Sequence, residues 1–251
     1  MRKSIIGLTA VLLSTIASPV FAQEEPAPAV TVTGGATVVT DYRFRGISQT
    51  DKRFAVQGTF TVAHESGFYA TVWGSSIDDY IATGSDQEID LIAGWAKDFN
   101  GTKLDVGVLY YYYPGSGGTN TDFIEPYAAV SHTFGPATAK LSAAYAPKQH
   151  ALASLGKARQ DNLYTAFDLG AGIPETPVSL SAHVGHSFGP SYLTAGSSFS
   201  KGYTDWSLGA SYTWNHLTFG VSYVDTDGDV FTPSGRNASK AGVVGSVGVA
   251  F

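Results

Sequence analysis

From residue 30 onward, apolar and polar residues alternate with a period of two. In the run 30–45 the even positions are Val30, Val32, Gly34, Ala36, Val38, Thr40, Tyr42 and Phe44, and the odd positions include Thr31, Thr33, Thr37, Asp41, Arg43 and Arg45. The three charges share one face. Such alternation predicts a strand with one oily and one polar side. Eleven further runs repeat it, at 53–63, 68–76, 88–99, 102–113, 123–134, 137–146, 162–171, 178–188, 203–214, 217–224 and 242–251. Each is near the roughly nine to eleven residues with which a tilted strand crosses a bilayer. The predicted fold is therefore all-β, a transmembrane antiparallel β-barrel of twelve strands.

The connections between these runs sort by parity. Short ones fall at 64–67, 100–101, 135–136, 172–177 and 215–216, and long ones at 77–87, 114–122, 147–161, 189–202 and 225–241. Outer-membrane barrels have short periplasmic turns and long external loops, so both termini are expected on the periplasmic side. A soluble sandwich has no reason to sort its loops this way.

The tight turns predict registers. Asn100-Gly101 is a favoured two-residue hairpin turn. It sets Phe99 against Thr102, Trp95 against Val106 and Leu91 against Tyr110, with Asp98 against Lys103 on the other face. Gly135-Pro136 sets Val130 against Leu141 and Ser131 against Lys140. Asn215-His216 sets Trp214 against Leu217 and Leu208 against Tyr223. Each register puts oily residues together, and a slip of one residue would turn the charges outward. Aromatics gather in two bands at strand ends. Phe68, Phe99, Phe134, Trp214 and Phe251 lie near the short turns; Tyr42, Phe44, Phe54, Tyr112, Phe123, Tyr145, Phe188 and Tyr223 lie near the long loops. Two such girdles suit the two membrane interfaces. The chain stops on Phe251, an ending expected to serve as an assembly signal, because the last strand must close on the first.

Composition adds compartment and excludes partners. Residues 1–22 have a basic start (Arg2, Lys3), a short apolar core and a small residue, Ala22, at the end, which predicts a cleaved signal peptide. Residues 23–29, with Pro26 and Pro28, read as a periplasmic leader, and 30–251 as the barrel. The formal charge is −6, and loss of Arg2 and Lys3 makes it more negative, which argues against nucleic acid as a partner. The absence of Cys excludes disulfides, thiolate metal sites and Cys nucleophiles.

The stretch DYRFRGISQTD (Asp41–Asp51) resembles the opening motif of the TorF-type porin family of proteobacteria (the Gcw_chp family). The likeness continues in ESGFYATVWGSS (Glu65–Ser76), EIDLIAGW (Glu88–Trp95), LDVGVLYYYYPG (Leu104–Gly115), YTDWSLGASYTW (Tyr203–Trp214) and VSYVDTDGD (Val221–Asp229). It covers nearly the whole chain after the signal and is weakest over 146–160. It implies an outer-membrane barrel of the porin kind in a Gram-negative bacterium. It implies no substrate and no catalytic residue.

Candidate chemistry is sparse. Strand parity points Asp41, Arg43, Arg45 and Arg53 into the lumen, as it does Glu88, Asp90, Asp98, Lys103, Asp105, Glu125, Lys140, Asp168 and Asp205. A charged constriction formed by Asp41, Arg43, Arg45, Arg53, Glu88, Asp90, Asp105 and Asp205 would screen solutes, whereas a ladder of ion pairs would only stiffen the interior. Acids outnumber bases among these residues, so selectivity should lean to cations. Asp225, Asp227 and Asp229 crowd one long loop as a weak calcium candidate, lacking the closing Glu of an EF-hand loop. Ser131-His132 and His183–Ser187 raise a barrel hydrolase, disfavoured because His132 sits beside a short turn and no acidic partner is recognisable beside His186. Residues 151–159 could form a short helix over the mouth.

The expected function is a narrow, weakly cation-preferring passive channel for small hydrophilic solutes, non-enzymatic and without a cofactor. Its partners would be outer-membrane lipid, the barrel assembly machinery and the solutes. The alternative is a largely filled barrel with a structural, adhesive or receptor role.

Overall fold

A computed structural model describes residues 29–153, 158–194 and 202–251. Twelve antiparallel strands close into a barrel: β1 (Val30–Val39), β4 (Ala55–His64), β5 (Phe68–Ser76), β6 (Gln87–Phe99), β7 (Thr102–Tyr112), β8 (Phe123–Phe134), β9 (Ala137–Gln149), β10 (Gln160–Gly172), β11 (Val178–Phe188), β12 (Gly202–Trp214), β13 (Leu217–Thr226) and β14 (Gly242–Ala250). Between β1 and β4 lies a separate miniature hairpin, β2 (Arg43–Phe44) and β3 (Ile47–Ser48). Each barrel strand pairs with its neighbours in sequence, and β1 closes on β14.

Closure matters because an open sheet would leave a row of unpaired backbone groups along each edge. Here the seam pairs Gly35 with Ala250 through Val39 with Ser246. Phe251 extends it: its N–H and carbonyl each exchange a 3.0 Å hydrogen bond with Gly34.

The three predicted registers are present, including Asp98 with Lys103, Ser131 with Lys140 and Leu208 with Tyr223. Asn100 and Gly101 both adopt positive φ, as a two-residue hairpin turn of this hand requires. The outer wall is correspondingly oily. Val32, Val56, Phe60, Leu91, Val106, Leu141, Leu208 and Val221 all stand exposed on it. Phe68, Phe99, Phe134, Trp214 and Phe251 form an exposed band at the short-turn end.

The opposite band differs from expectation. Phe54, Tyr112, Tyr145, Phe188 and Tyr223 are exposed there, but Tyr42 and Phe123 are buried inside, and Phe44 packs inward with them. Phe123 follows from parity: it shares a face with Glu125 and Tyr127, and it stacks on Tyr111 at 4.1 Å. Tyr42 and Phe44 moved for a different reason. The first strand ends at Val39 rather than 45, and the chain then turns into the barrel. The core is consequently the barrel interior at its long-loop end, where Val39, Tyr42, Trp73, Ile77, Val224 and Val244 form one cluster and Tyr111, Phe123, Ala146, Leu152 and Leu193 another.

The expected signal peptide (1–22) and nearly all of the leader lie outside the described residues. So do residues 154–157 of the expected short helix; Ala151 and Leu152 are in a turn, and Leu152 is buried in the second cluster.

Candidate lumen site

Residues 40–54 form the centre of the site. The β2–β3 hairpin turns at Arg45-Gly46, with φ of 48° and 79°, the pair of positive values that a two-residue turn of this kind demands. Gly46 also meets a steric condition. A Cβ there would lie 2.8 Å from Asp205 Cβ and closer still to the Thr226 methyl, so the turn presses directly on the β12–β13 wall. Gly46→Val should therefore unseat the hairpin while leaving the twelve-strand sheet intact. The expected result is a folded barrel whose segment 40–54 becomes susceptible to limited proteolysis at least about tenfold faster, since strained φ and overpacking each cost about 1–3 kcal/mol.

The turn aims Arg45 across the lumen. Its Nη2 donates to both oxygens of Glu125 at 2.7 Å, and its Nη1 donates to Asn162 Oδ1 at 3.0 Å. Glu125 is on β8 and Asn162 on β10, each five strands from β1 in opposite directions around the barrel. The guanidinium lies 4.1 Å over the Tyr164 ring. Tyr111 donates to Glu125 (3.0 Å), and Tyr203 donates to the Arg45 carbonyl (2.9 Å). Arg45 is 5% exposed, yet its charge is paired and hydrogen-bonded, as a buried charge must be.

The rest of the segment is laced to the loops above it. Asp41 accepts from Arg43 Nε (2.6 Å) and Ser48 Oγ (2.5 Å). Arg43 also donates to the carbonyls of Gly46 and Ala238, both at 2.9 Å. Asp51 accepts from Thr232 and Ser234 and pairs with Arg236. Tyr80 donates to the Ser48 carbonyl. Asp41, Arg43 and Arg45 thus occupy the interior, but through an infolded segment rather than a continuous strand. Arg53 departs from its expected place: its side chain is 66% exposed and paired with Asp78 on the next long loop. It follows the infolded stretch and returns to the rim, so strand parity does not govern it.

A second polar line runs along the wall. Lys140 pairs with Asp168 at 3.4 Å. Asp168 faces His183 Nδ1 at 2.7 Å, and His183 Nε2 faces Asp205 at 3.0 Å. Tyr164 donates to Asp205, which brings the line to the ring beneath Arg45. Farther toward the short turns, Tyr69 donates to Asp105 at 2.7 Å and touches the Tyr127 hydroxyl. Glu88 accepts from Tyr42 at 3.2 Å. Burial pushes the Tyr42 phenol well above its ordinary range, and Glu88 and Asp90 beside it add to the shift; the hydroxyl therefore stays a donor.

Of the expected lumen residues, Arg45, Glu88, Asp90 and Asp205 share the long-loop half, and Asp105 sits apart below. Asn162, Tyr164 and Tyr203 were not among the candidates, and His183 entered only through the hydrolase stretch His183–Ser187, not as a lumen residue. His183 was legible in principle, since it is on the inward parity of β11 and its register partner is Asp168. Asp225, Asp227 and Asp229 accept from different groups: Thr226 N, Thr204 N and Asn237 Nδ2. Among the described residues no three acidic or histidine side chains form a group able to hold a metal. His132 is bonded to Thr102 (2.7 Å) and His186 to Thr204 (2.9 Å), while Ser187 donates to the Leu193 carbonyl. None of these contacts joins a serine to a histidine base.

With that geometry in place, comparison with known proteins gives the chain a family and a fold. Residues 23–251 match the family described as bacterial protein of unknown function (Gcw_chp), and the chain belongs to it. A search of curated proteins returned no match. Among solved structures, the NanC porin superposes with a TM-score of 0.58 at 14% identity, over 88% of this chain and 99% of that one. An outer-membrane channel from Pseudomonas putida F1 superposes with a TM-score of 0.52 at 12% identity, over 91% and 99%. At such identities the likeness is one of fold: a closed twelve-strand antiparallel barrel.

Proposed function

We propose that this member of the Gcw_chp family is a porin-like channel of the Gram-negative outer membrane, passing small hydrophilic solutes through a narrow, cation-preferring lumen. The observation that carries the reading is the infolded segment 40–54, which sets an ion-paired Arg45 across a barrel whose outer wall is apolar. An outer wall of exposed Val, Leu and Phe is stable against hydrocarbon and costly against water. A barrel needs no charged segment across its lumen merely to stand in a membrane, whereas opposed charges at a narrowing focus the field on a passing ion. Arg45 facing Glu125, with Glu88, Asp90 and Asp205 around it, would be that narrowing; Asp41 and Arg43 would brace it. The fold shared with a porin and an outer-membrane channel supports the same reading.

The alternative is a filled barrel with a structural or receptor role. The observation in its favour is the same bridge from the β2–β3 turn to β8 and β10, together with the aromatic packing beside it. Planar-bilayer recording separates the two: discrete, cation-selective steps are expected, and silence from correctly folded protein would leave the filled barrel.

In this reading the chain is exported by cleavage after Ala22, is inserted by the assembly machinery and lies in outer-membrane lipid with its long loops outside. Single cysteines are clean probes, as the chain has none. Cysteines at Ser116 and Gly228 should react with a membrane-impermeant maleimide on intact cells, and one at Asn100 should stay silent until the cells are opened. The reverse pattern would invert the topology.

A further inference from the structure

Glu88 and Asp90 alternate on β6 and so point to the same side, into the barrel. They are 2% and 6% exposed. Among the described residues neither has a salt-bridge partner. Glu88 has only the Tyr42 hydroxyl, and Asp90 Oδ1 is buried with no hydrogen-bond partner at all. Every other deeply buried acid of the lumen is answered: Glu125 by Arg45, Asp205 by His183 and Tyr164. A buried carboxylate without a counter-charge is costly, and two neighbours on one face compound the cost.

The walls around this pair are aromatic. The strand register places Asp90 between Trp73 on β5 and Tyr111 on β7. Tyr113, the next inward position beyond β7, packs in the cluster that holds Trp73 and Tyr42. The Tyr42 and Trp73 rings meet at 5.5 Å and 60°. Two unanswered carboxylates thus sit beside the aromatic side chains of Trp73, Tyr111 and Tyr42. A calcium-type ion would want about six to eight oxygen ligands, and no metal-holding group of three side chains occurs among the described residues. Aromatic rings attract ammonium groups through the negative face of the π-system, more strongly once the group is desolvated.

We propose that Glu88 and Asp90, with Tyr42, Trp73, Tyr111 and Tyr113, form a binding site for the alkylammonium group of an organic amine. The proposal rests on the channel reading and gives it a solute class: the site is the station where a cationic amine replaces part of its water with carboxylates and rings. Asp90 Oδ1 takes a hydrogen bond from the ammonium, Glu88 supplies the second charge, and Trp73 and Tyr111 cover the alkyl stem.

The test uses the complete folded barrel in detergent, with n-butylammonium and its neutral counterpart n-butanol as probes. Binding is followed by calorimetry and by tryptophan fluorescence, for which Trp73 is placed to respond. Butylammonium should bind saturably and butanol about tenfold or more weaker. Asp90→Asn and Glu88→Gln should each weaken butylammonium by about tenfold while leaving butanol unchanged. If Asp90→Asn fails the heat-shift assay for folded barrel, Glu88→Gln and the wild-type ratio of the two probes decide. Equal affinity for the two probes, or wild-type affinity in the folded variants, would overturn the site; the pair would then hold a shared proton. Bilayer recordings keep the two readings apart. Ion steps without amine binding would retain the channel and remove this site. Amine binding without ion steps would retain the site and remove the channel.

Discussion

Arg45→Ser is expected to raise single-channel conductance several-fold and to lower stability by about 3–5 kcal/mol. The second effect follows from what the substitution leaves behind. Glu125 would lose the one nitrogen that bonds both its oxygens while staying buried, and breaking a buried pair from one side strands the other charge. The first follows from position, because Arg45 is the side chain that spans from the β2–β3 turn to β8 and β10. Its removal empties the crossing point and takes a positive charge from a lumen rich in acids, so cation preference should rise as well. The double variant Arg45→Ser, Glu125→Gln separates the two effects: most of the lost stability should return while the wider path persists. Chemical denaturation and bilayer recording on the same preparations check both. A double variant that is stable yet conducts like wild type would remove the crossing from the permeation path.

Deleting Phe251 should lower the folded outer-membrane fraction by about tenfold, a larger effect than its packing would produce. The ring is 78% exposed, so burial contributes little. Its backbone, however, makes both terminal hydrogen bonds of the seam with Gly34. Opened at that point, β1 would present unpaired groups to lipid at several kcal/mol each. Phe251→Ala keeps the backbone and loses only the ring. A mild defect for Phe251→Ala with a severe one for the deletion would assign the effect to the seam, and equal severe defects would assign it to recognition of the ring during assembly. Normal levels of the deleted form would discard both. Heat-modifiable mobility of outer-membrane fractions reads the result.

The strands were legible because alternation, turn chemistry and charge placement each constrained the same register. Asp98 against Lys103 could be paired from the Asn100-Gly101 turn alone, and the wall it belongs to follows from period two. Residues 40–54 escaped the same logic. The even–odd pattern of 30–45 continues smoothly past Val39, so nothing in the alternation marks where the wall ends and the infolded hairpin begins. The signal was of another kind: the Gly directly after Arg45 is a common sign of a tight turn or close backbone approach. Likewise Arg53 shares the parity of lumen residues yet sits at the rim, because parity holds only within one continuous strand. Charge complement was also invisible. Alternation places Glu88, Glu125 and Asp205 inside but says nothing of which one Arg45 reaches, since partners lie on strands far off in sequence.

The ties of the infolded segment carry a consequence for how the molecule comes into being. Arg45 joins residues 80 and 117 positions away, Tyr203 reaches back across 158, and Arg43 meets Ala238 across 195. None of these contacts is local, and loop closure makes such pairings late and slow. The segment also hangs from β1, the strand that finds its second neighbour only when β14 arrives. A nascent sheet therefore has no socket for it. The segment emerges early in synthesis and is expected to dock late, after the strands that carry its partners have assembled, so a seated hairpin would mark a nearly finished barrel.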